Sequence, residues 1–385
     1  MRLQALNSHG PVRRKTIVLA AGGTGGHLFC AEALGKILGE RGFDVYLMTD
    51  RRGGEYARCF PSVHVFVIPS ATITLRRPLR IPGQLWRLVR GYFEAHRVLK
   101  ALHPVGVMGF GGYPSIPPLL AAWREGMPIF IHEQNAVMGR ANRFMAPYAR
   151  LVATGFPEVL KLAPWHKERC IFTSNPVREA VHEAAKTPYH AAEKSGRFNL
   201  LVFGGSQGTK VFCDVIPKAL ARLPDVIRRE LKVVQQCRRE DVETVRGDYV
   251  DAGIEAEAAP FYHDLPRHMA QAHLVVARAG ASTVTELGVI GRPAILVPLP
   301  DALDRDQLMN AQVFVGGGGG WLVEQEHFTD DKFADLIMWL YRNRQELEVA
   351  AHCARRFSVP DATIRLAEAI RREIAVLETQ DGLRG

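Results

Sequence analysis

GGTGGHLF at residues 22–29 and GGSQGT at residues 204–209 stand about half a chain apart, each directly after a short apolar, β-prone run. Glycines placed just after a strand let the backbone approach a phosphate. The helix that follows presents unbonded N–H groups and the positive end of its dipole. One such turn is common structural punctuation, but two in equivalent settings predict two phosphate-ready α/β domains and a cleft between them that suits a diphosphate. Length agrees, because 385 residues exceed the roughly 250–300 at which a single hydrophobic core stops growing.

Around the first turn, apolar stretches at 16–20, 45–48, 63–68, 105–110, 129–132 and 151–154 alternate with helical patterns, the rhythm of a parallel sheet. A polar segment at 184–197, containing Pro188 and Gly196, interrupts the rhythm and reads as a linker. It restarts at 199–203, 232–235, 274–277 and 293–298. The expectation is an α/β chain of two doubly wound, Rossmann-like domains, 15–185 and 198–357, with a last helix at 358–378 packing back on the first domain. Five glycines at 316–320 are read as the end of a helix leading into a short strand at 321–323, with no chemical role.

Composition narrows the class. An apolar share of 47% and a charged share of 23% are those of an ordinary soluble protein. The formal charge of +9 suits an anionic partner: nucleotide, nucleic acid or acidic lipid. Six cysteines without CxxC pairs or zinc spacing point to a reducing compartment. The apolar run behind Arg13, Arg14 and Lys15 is too short for a signal peptide, and no stretch reaches the roughly 18 apolar residues of a membrane span. Membrane contact is therefore expected to be peripheral. Residues 73–100 favour it, since Leu75, Leu79, Ile81 and Trp86 are interleaved with Arg76, Arg77 and Arg80. The competing reading is an ordinary helix at about 83–102 burying its apolar stripe, and both are expected: helix in the core, preceding loop on the bilayer.

Several turns carry groups that can act on a ligand. His27 begins the first helix, where its imidazole could accept a proton from a ligand; the alternative is a histidine that only hydrogen-bonds its loop. The dinucleotide pattern GxGxxG is not met, because the sixth position from Gly23 is Leu28. GGYPS at 111–115, HEQN at 132–135 and NPVR at 175–178 also follow strands, where open α/β sheets bind ligands. Arg178 can clamp a phosphate or form a surface ion pair. In RAGASTVTE at 278–286, Glu286 can accept a ribose diol or serve as a favourable helix-start charge. Gln307 and Asn310 begin another helix and suit sugar hydroxyls.

Taken in order, GGTGGH, GGYPS, HEQN, NPVR, GGSQG, RAGASTVTE and DRDQLMNA resemble the MurG family of cell-wall N-acetylglucosaminyltransferases, over about 16–377. The resemblance implies a GT-B fold and inverting transfer of GlcNAc from UDP-GlcNAc to the MurNAc 4-hydroxyl of undecaprenyl-pyrophosphoryl-MurNAc-pentapeptide. That reaction turns lipid I into lipid II in peptidoglycan synthesis, on which cell shape and division depend. It further implies a peripheral enzyme at the cytoplasmic face of the inner membrane, on an anionic surface, with neither cofactor, metal nor nucleic acid, and with cell-wall synthesis or division proteins as possible partners. Carried over by motif, the substrate contacts are Thr24, Gly25, Gly26, Tyr113, Asn135, Arg178, Ser206, Tyr262, the run Ala281, Ser282, Thr283, Val284, Thr285 and Glu286, and then Gln307 and Asn310. Glu286 would take the ribose, Ser206 would lie at the diphosphate, and Tyr262 would offer its backbone to uracil.

For the general base the expectation is His27, with Glu133 and His132 as alternatives. Two places depart from the family pattern: the turn Gln236, Cys237, Arg238 stands where Gln-Ser-Gly is common, and Asp306 replaces a common Gln or His. A UDP-GlcNAc 2-epimerase would share the architecture and the donor motifs, and a non-catalytic scaffold binding nucleotide sugar and membrane is the reading from outside the enzymes.

Overall fold

The fold is described from a computed structural model over residues 14–23, 25–57, 64–71, 79, 81–191, 196–205, 208–300, 302 and 304–382. In the first half, β1 (Lys15–Ala20), β2 (Phe43–Thr49), β3 (His64–Val67), β4 (Gly106–Gly109), β5 (Ile129–Glu133), β6 (Leu151–Thr154) and β7 (Cys170–Phe172) form one parallel sheet in the order β3-β2-β1-β4-β5-β6-β7. The helices of this half are α1 (Gly25–Glu40), α2 (Arg51–Ala57), α3 (Ile81–Leu102), α4 (Ile116–Arg124), α5 (Arg140–Met145) and α6 (Glu179–Ala184). A parallel sheet covered on both faces needs apolar side chains throughout, and the two-residue period sends alternate ones to opposite sides. Ile17 and Leu19 accordingly pack with Leu28, Leu34 and Leu38 of α1, while Val18 and Ala20 pack with Ala95 and Leu99 of α3 and Leu119 of α4.

The second half repeats the plan. Strands β8 (Phe198–Phe203), β9 (Leu231–Gln236), β10 (Glu255–Ala259), β11 (Leu274–Ala277), β12 (Ala294–Leu296) and β13 (Gly320–Leu322) pair in parallel in the order β10-β9-β8-β11-β12-β13. Around them lie α7 (Lys210–Ala221), α8 (Asp225–Glu230), α9 (Val242–Asp251), α10 (Leu265–Gln271), α11 (Ala281–Ile290), α12 (Asp306–Gly316), α13 (Asp330–Arg342) and α14 (Arg344–Phe357). In both sheets the chain order reverses beside the first strand, making neighbours of β1 and β4 and of β8 and β11. Ligands of open α/β sheets bind outside the carboxyl ends of such neighbours. Both glycine turns leave the sheets there.

After α14 the chain crosses back, and α15 (Ala362–Gly382) lies along α1. Leu366, Ala367, Ile370 and Ile374 join the cluster under Leu34 and Leu38, and Arg150 and Arg41 pair with Glu373 and Glu368. The halves are thus linked by two passages of chain, after α6 and at 358–361. The first is pinned by Arg292, 1% exposed, whose guanidinium donates to the carbonyls of Thr187 (3.1 Å), Gly291 (3.0 Å) and Ile290 (2.9 Å).

Two strands, β7 and β10, fall outside the apolar runs read from the sequence. The segment of β10 is EAEAA, an edge strand with one neighbour and a half-wet face, so it carries no apolar run. The glycine run ends α12 and starts β13, where a Cβ on Gly320 would stand 1.9 Å from the Ala294 carbonyl oxygen of β12. Among the described residues no helix is long and apolar enough to cross a membrane.

Candidate active site

α1 starts directly after the first glycine turn, which brings the His27 ring back against it. The ring Nδ1 lies 3.1 Å from the Gly22 carbonyl oxygen and must donate to it, which leaves the basic lone pair on Nε2. The turn after β4 closes over the same spot. Gly112 has φ +73°, and a Cβ there would come 2.9 Å from the Gly22 oxygen and 3.4 Å from His27 Nδ1, so only glycine lets the two turns touch. Tyr113 follows at the start of a short 3₁₀ turn and is half-buried. Asp50, which a nicotinamide reading would place on a ribose, accepts instead from the Gly53 backbone N–H at 2.9 Å near the start of α2.

The HEQN loop leaves the end of β5 with its charged groups turned inward. Glu133 is 1% exposed, and both carboxylate oxygens are taken: Oε1 by the Asn135 backbone N–H (2.9 Å) and amide (3.2 Å), Oε2 by the Gly139 N–H (2.9 Å) and the Asn142 amide (2.8 Å). A carboxylate held by four donors organises a loop and has little left with which to take a proton from substrate. His132 is fully buried and donates from Nε2 to the Ser174 carbonyl at 3.1 Å. Burial pushes its imidazole down to about 4, with the Ser174 carbonyl opposing and His27 adding to the shift. It is a neutral donor within the core.

That donor supports an uncomfortable turn. Ser174 has φ +64°, a left-handed conformation that costs a residue with a Cβ roughly 1 kcal/mol, and its carbonyl accepts from both His132 and the Thr173 hydroxyl. The turn aims Asn175 across the cleft, where its amide donates to Thr285 Oγ1 at 2.8 Å. Ser174→Gly is therefore expected to stabilise the protein by up to about 1 kcal/mol, seen as a rise of about 1–2 °C in thermal unfolding. A lower Tm would mean that the serine side chain contributes more than its backbone costs.

From the second half, α11 points its N-terminus at α1. Its first intrahelical bond runs from Val284 N–H to the Gly280 carbonyl, and Gly280 offers no side-chain cap, so the preceding amides of 281–283 have no helical acceptor. A Cβ on Gly26 would come within 3.3 Å of Ser282 Oγ, which places the two helix starts face to face. Of the run 281–286, Val284 is buried in the core and the Thr285 hydroxyl is used by Ala281 and Asn175. Glu286 is 7% exposed. Burial raises its carboxyl above the usual range, while Arg178, whose Nη2 lies 3.5 Å from Oε1, pulls it down. The Arg178 guanidinium also lies 4.0 Å from the ring centroid of Phe29 in α1. Phe29 is a residue that the motif reading passed over, since no sequence signal marks an arginine's stacking partner.

Asn310 is wholly buried and satisfied within the protein, donating to Asn135 Oδ1 (3.0 Å) and the Ala279 carbonyl (3.1 Å) and accepting from the Ala136 N–H (2.8 Å). The sequence suggested a sugar contact; the structure makes it a bridge between the halves that also occupies Asn135. Gln307 accepts from the Leu299 N–H at 3.0 Å. Tyr262 is 9% exposed and donates its hydroxyl to the Glu257 carbonyl at 3.2 Å. Asp306 opens the first turn of α12, where its charge suits the helix dipole.

A charged clasp reinforces closure. Asp304 of the second half meets Lys161 (2.7 Å), Arg143 (3.1 Å) and Arg140 (3.4 Å) of the first. Burial pushes its carboxyl up, but the three cations outweigh this and hold it below the ordinary carboxylate range. A lowered carboxyl stabilises the fold above its unfolded value near pH 3.9 and ceases to do so as pH falls through the lower folded value. Asp304→Asn is thus expected to lose about 1 kcal/mol at pH 7, with the gap in Tm from wild type closing toward pH 3. A gap independent of pH would rule out the ionic origin.

Of the remaining residues singled out in the sequence, Thr24, Ser206, Leu75, Arg76, Arg77 and Arg80 lie outside the described residues. In α3, Gly91, Ala95 and Leu99 form the buried stripe, and Ile81 is half-buried. Leu85, Trp86, Val89 and Phe93 are exposed, as is Leu79 just before the helix, at 96%. The boundary between core and exposed apolar surface therefore runs inside the helix and not ahead of it.

Comparison with known proteins matches residues 17–154 to the glycosyltransferase family 28 N-terminal domain and residues 199–366 to the glycosyltransferase family 28 C-terminal domain. A protein of Methylobacterium sp. (strain 4-46), named UDP-N-acetylglucosamine--N-acetylmuramyl-(pentapeptide) pyrophosphoryl-undecaprenol N-acetylglucosamine transferase, is 50% identical over 92% of this chain and 96% of its own. One of the same name from Brucella abortus (strain S19) is 46% identical over 96% and 97%. The crystal structure of Acinetobacter baumannii MurG superposes with a TM-score of 0.75 at 29% identity, covering 93% of this chain and 99% of that one. A UDP-N-acetylglucosamine 2-epimerase structure gives 0.63 at 12% identity over 92% and 95%, a likeness of fold alone.

Proposed function

Because this chain belongs to the MurG branch of glycosyltransferase family 28, we propose that its two converging helix starts divide one reaction between them, α11 holding the donor and α1 the acceptor. The enzyme transfers GlcNAc from UDP-GlcNAc to lipid I, making lipid II for peptidoglycan. The observation that carries the division of roles is the meeting of Gly26 and Ser282 across the crevice, with Glu286 behind one helix start and His27 beside the other.

In this reading Glu286 accepts the ribose diol, the amides at the start of α11 and Arg178 receive the diphosphate, and Gln307 lies toward the sugar. The MurNAc 4-hydroxyl attacks C1 of GlcNAc in line with the departing UDP. The C–O bond to UDP breaks as the new one forms, the anomeric centre inverts, and the hydroxyl proton passes to His27 Nε2. The contact from Nδ1 to Gly22 fixes the tautomer that can receive it. Helix amides and a guanidinium aimed at the diphosphate stabilise the charge that grows on the leaving group. Glu133 and His132 support the loops from behind.

The exposed apolar side chains of Leu79, Leu85, Trp86 and Phe93, beside Arg87, Arg90 and Arg97 of α3, fit a peripheral site on the cytoplasmic face of the inner membrane, where the lipid-borne acceptor lies. Vesicles containing anionic lipid are expected to sediment the protein at low salt and to release part of it at high salt. Sedimentation unchanged after Leu79, Trp86 and Phe93 are replaced by serine would count against this surface. The activity itself is tested by transfer of labelled GlcNAc from UDP-GlcNAc to a lipid I analogue. Consumption of UDP-GlcNAc without acceptor, with a 2-epimer as product, would favour the epimerase, and binding without turnover would leave a scaffold.

A further inference from the structure

Arg178 meets Glu286 and Phe29 in the cleft, with the Glu32 carboxylate within its electrostatic reach, and the contact to Glu286 is a poor use of its fork. Its Nη2 reaches Glu286 Oε1 at 3.5 Å, at the outer limit of a hydrogen bond, and its Nε is buried with no hydrogen-bond partner among the described residues. A guanidinium carries five N–H groups in a rigid fork made for two oxygens at once. Beneath it the Phe29 ring, 4.0 Å from the guanidinium carbon, offers a flat face across which the group can slide while keeping its attraction to the ring. Phe29 sits near the start of α1, and α1 is tied by Cys30 Sγ to the Pro176 carbonyl (3.5 Å) in the loop bearing Arg178 and by Lys36 to Glu179 (3.2 Å) at the start of α6. The platform and the base of the arm are therefore tied to each other.

We propose that Glu286 and Arg178 form a placeholder pair that donor binding exchanges, with Phe29 as the positioning residue over which Arg178 passes from Glu286 to the diphosphate. The proposal rests on the donor assignment above. A ribose diol offers Glu286 two hydroxyl donors at normal length in place of one long contact, and the released fork turns to phosphate oxygens, leaving no buried charge uncompensated at either stage. Nucleoside and diphosphate recognition are then coupled through one side chain. Uridine alone would break the pair without giving Arg178 a new partner, whereas UDP completes the exchange.

The test compares inhibition constants of uridine and UDP against GlcNAc transfer in wild type, Phe29→Leu and Phe29→Tyr. Phe29→Leu keeps an apolar filler but removes the ring face, and is expected to weaken UDP about five- to tenfold while leaving uridine within twofold. Phe29→Tyr should restore UDP to within about twofold of wild type. Equal losses for both ligands, or unchanged UDP binding in Phe29→Leu, would overturn the exchange, as would a tyrosine variant no better than leucine. Should Phe29→Leu fail to fold, Arg178→Lys serves instead: a point charge that does not stack should weaken UDP by a similar factor and spare uridine, and an equal loss of both would overturn the proposal. Failure of the donor assignment itself is seen separately, as wild-type protein that UDP does not inhibit.

Discussion

Alanine in place of His27 is expected to lower kcat by about 100- to 10,000-fold with both substrates saturating, the range for removal of a positioned general base. The effect belongs to the chemical step, because the ring sits at the mouth of the glycine turn, where the contact from Nδ1 to the Gly22 carbonyl sets its tautomer. His27→Gln is the sharper variant. Its amide can still donate to Gly22 but cannot take up a proton, so it should fall nearly as far as alanine. Initial rates of labelled GlcNAc transfer decide the matter: turnover within threefold of wild type in either variant would remove His27 from the role. Glu133 is a poor substitute, since its two oxygens are committed to four donors that shape residues 135–142.

Loss of the Glu286 carboxylate should be almost as damaging, but in a different parameter. Two ribose hydroxyls bonded to one buried carboxylate are charge-assisted contacts of about 1.5–3 kcal/mol each, partly offset by the Arg178 contact given up. Glu286→Ala is therefore expected to reduce kcat/KM for UDP-GlcNAc about 100-fold, mostly through KM. The ribose assignment has its own control. A 2′-deoxyribose donor should cost the wild-type enzyme a large part of that factor and cost the variant almost nothing further, because the partner is already gone. If both proteins lose equally on the deoxy donor, Glu286 does not bind the diol.

Much of the architecture could be read directly from the residues. Strands buried on both faces, such as VLA in β1 or LLVF in β8, are apolar without interruption, and the glycine turns behind them mark where the sheets reverse. The edge strand β10 gave no such signal, because a segment of alternating glutamate and alanine earns its place through backbone pairing to β9. In the candidate site, local motif reading singled out residues but could not give the direction in which they face. Asn310 looks like a sugar ligand in one dimension and is a bridge in three, because its partners, Asn135 and Ala136, come from the other half of the chain. The same limit hid Phe29, and it made Glu133 look like a free acid when four donors from its own loop surround it.

The second passage of chain, by which α15 returns to lie on α1, restricts how the cleft can open. Two bodies joined by one flexible strap can drift and twist in any direction, but a pair of crossings leaves mainly a swing about the line that joins them, like a lid on two pins. With Arg292 fixing one pin, Gly26 and Ser282 would separate and meet again along nearly the same arc at each turnover, so the opposed helix starts need no search for alignment.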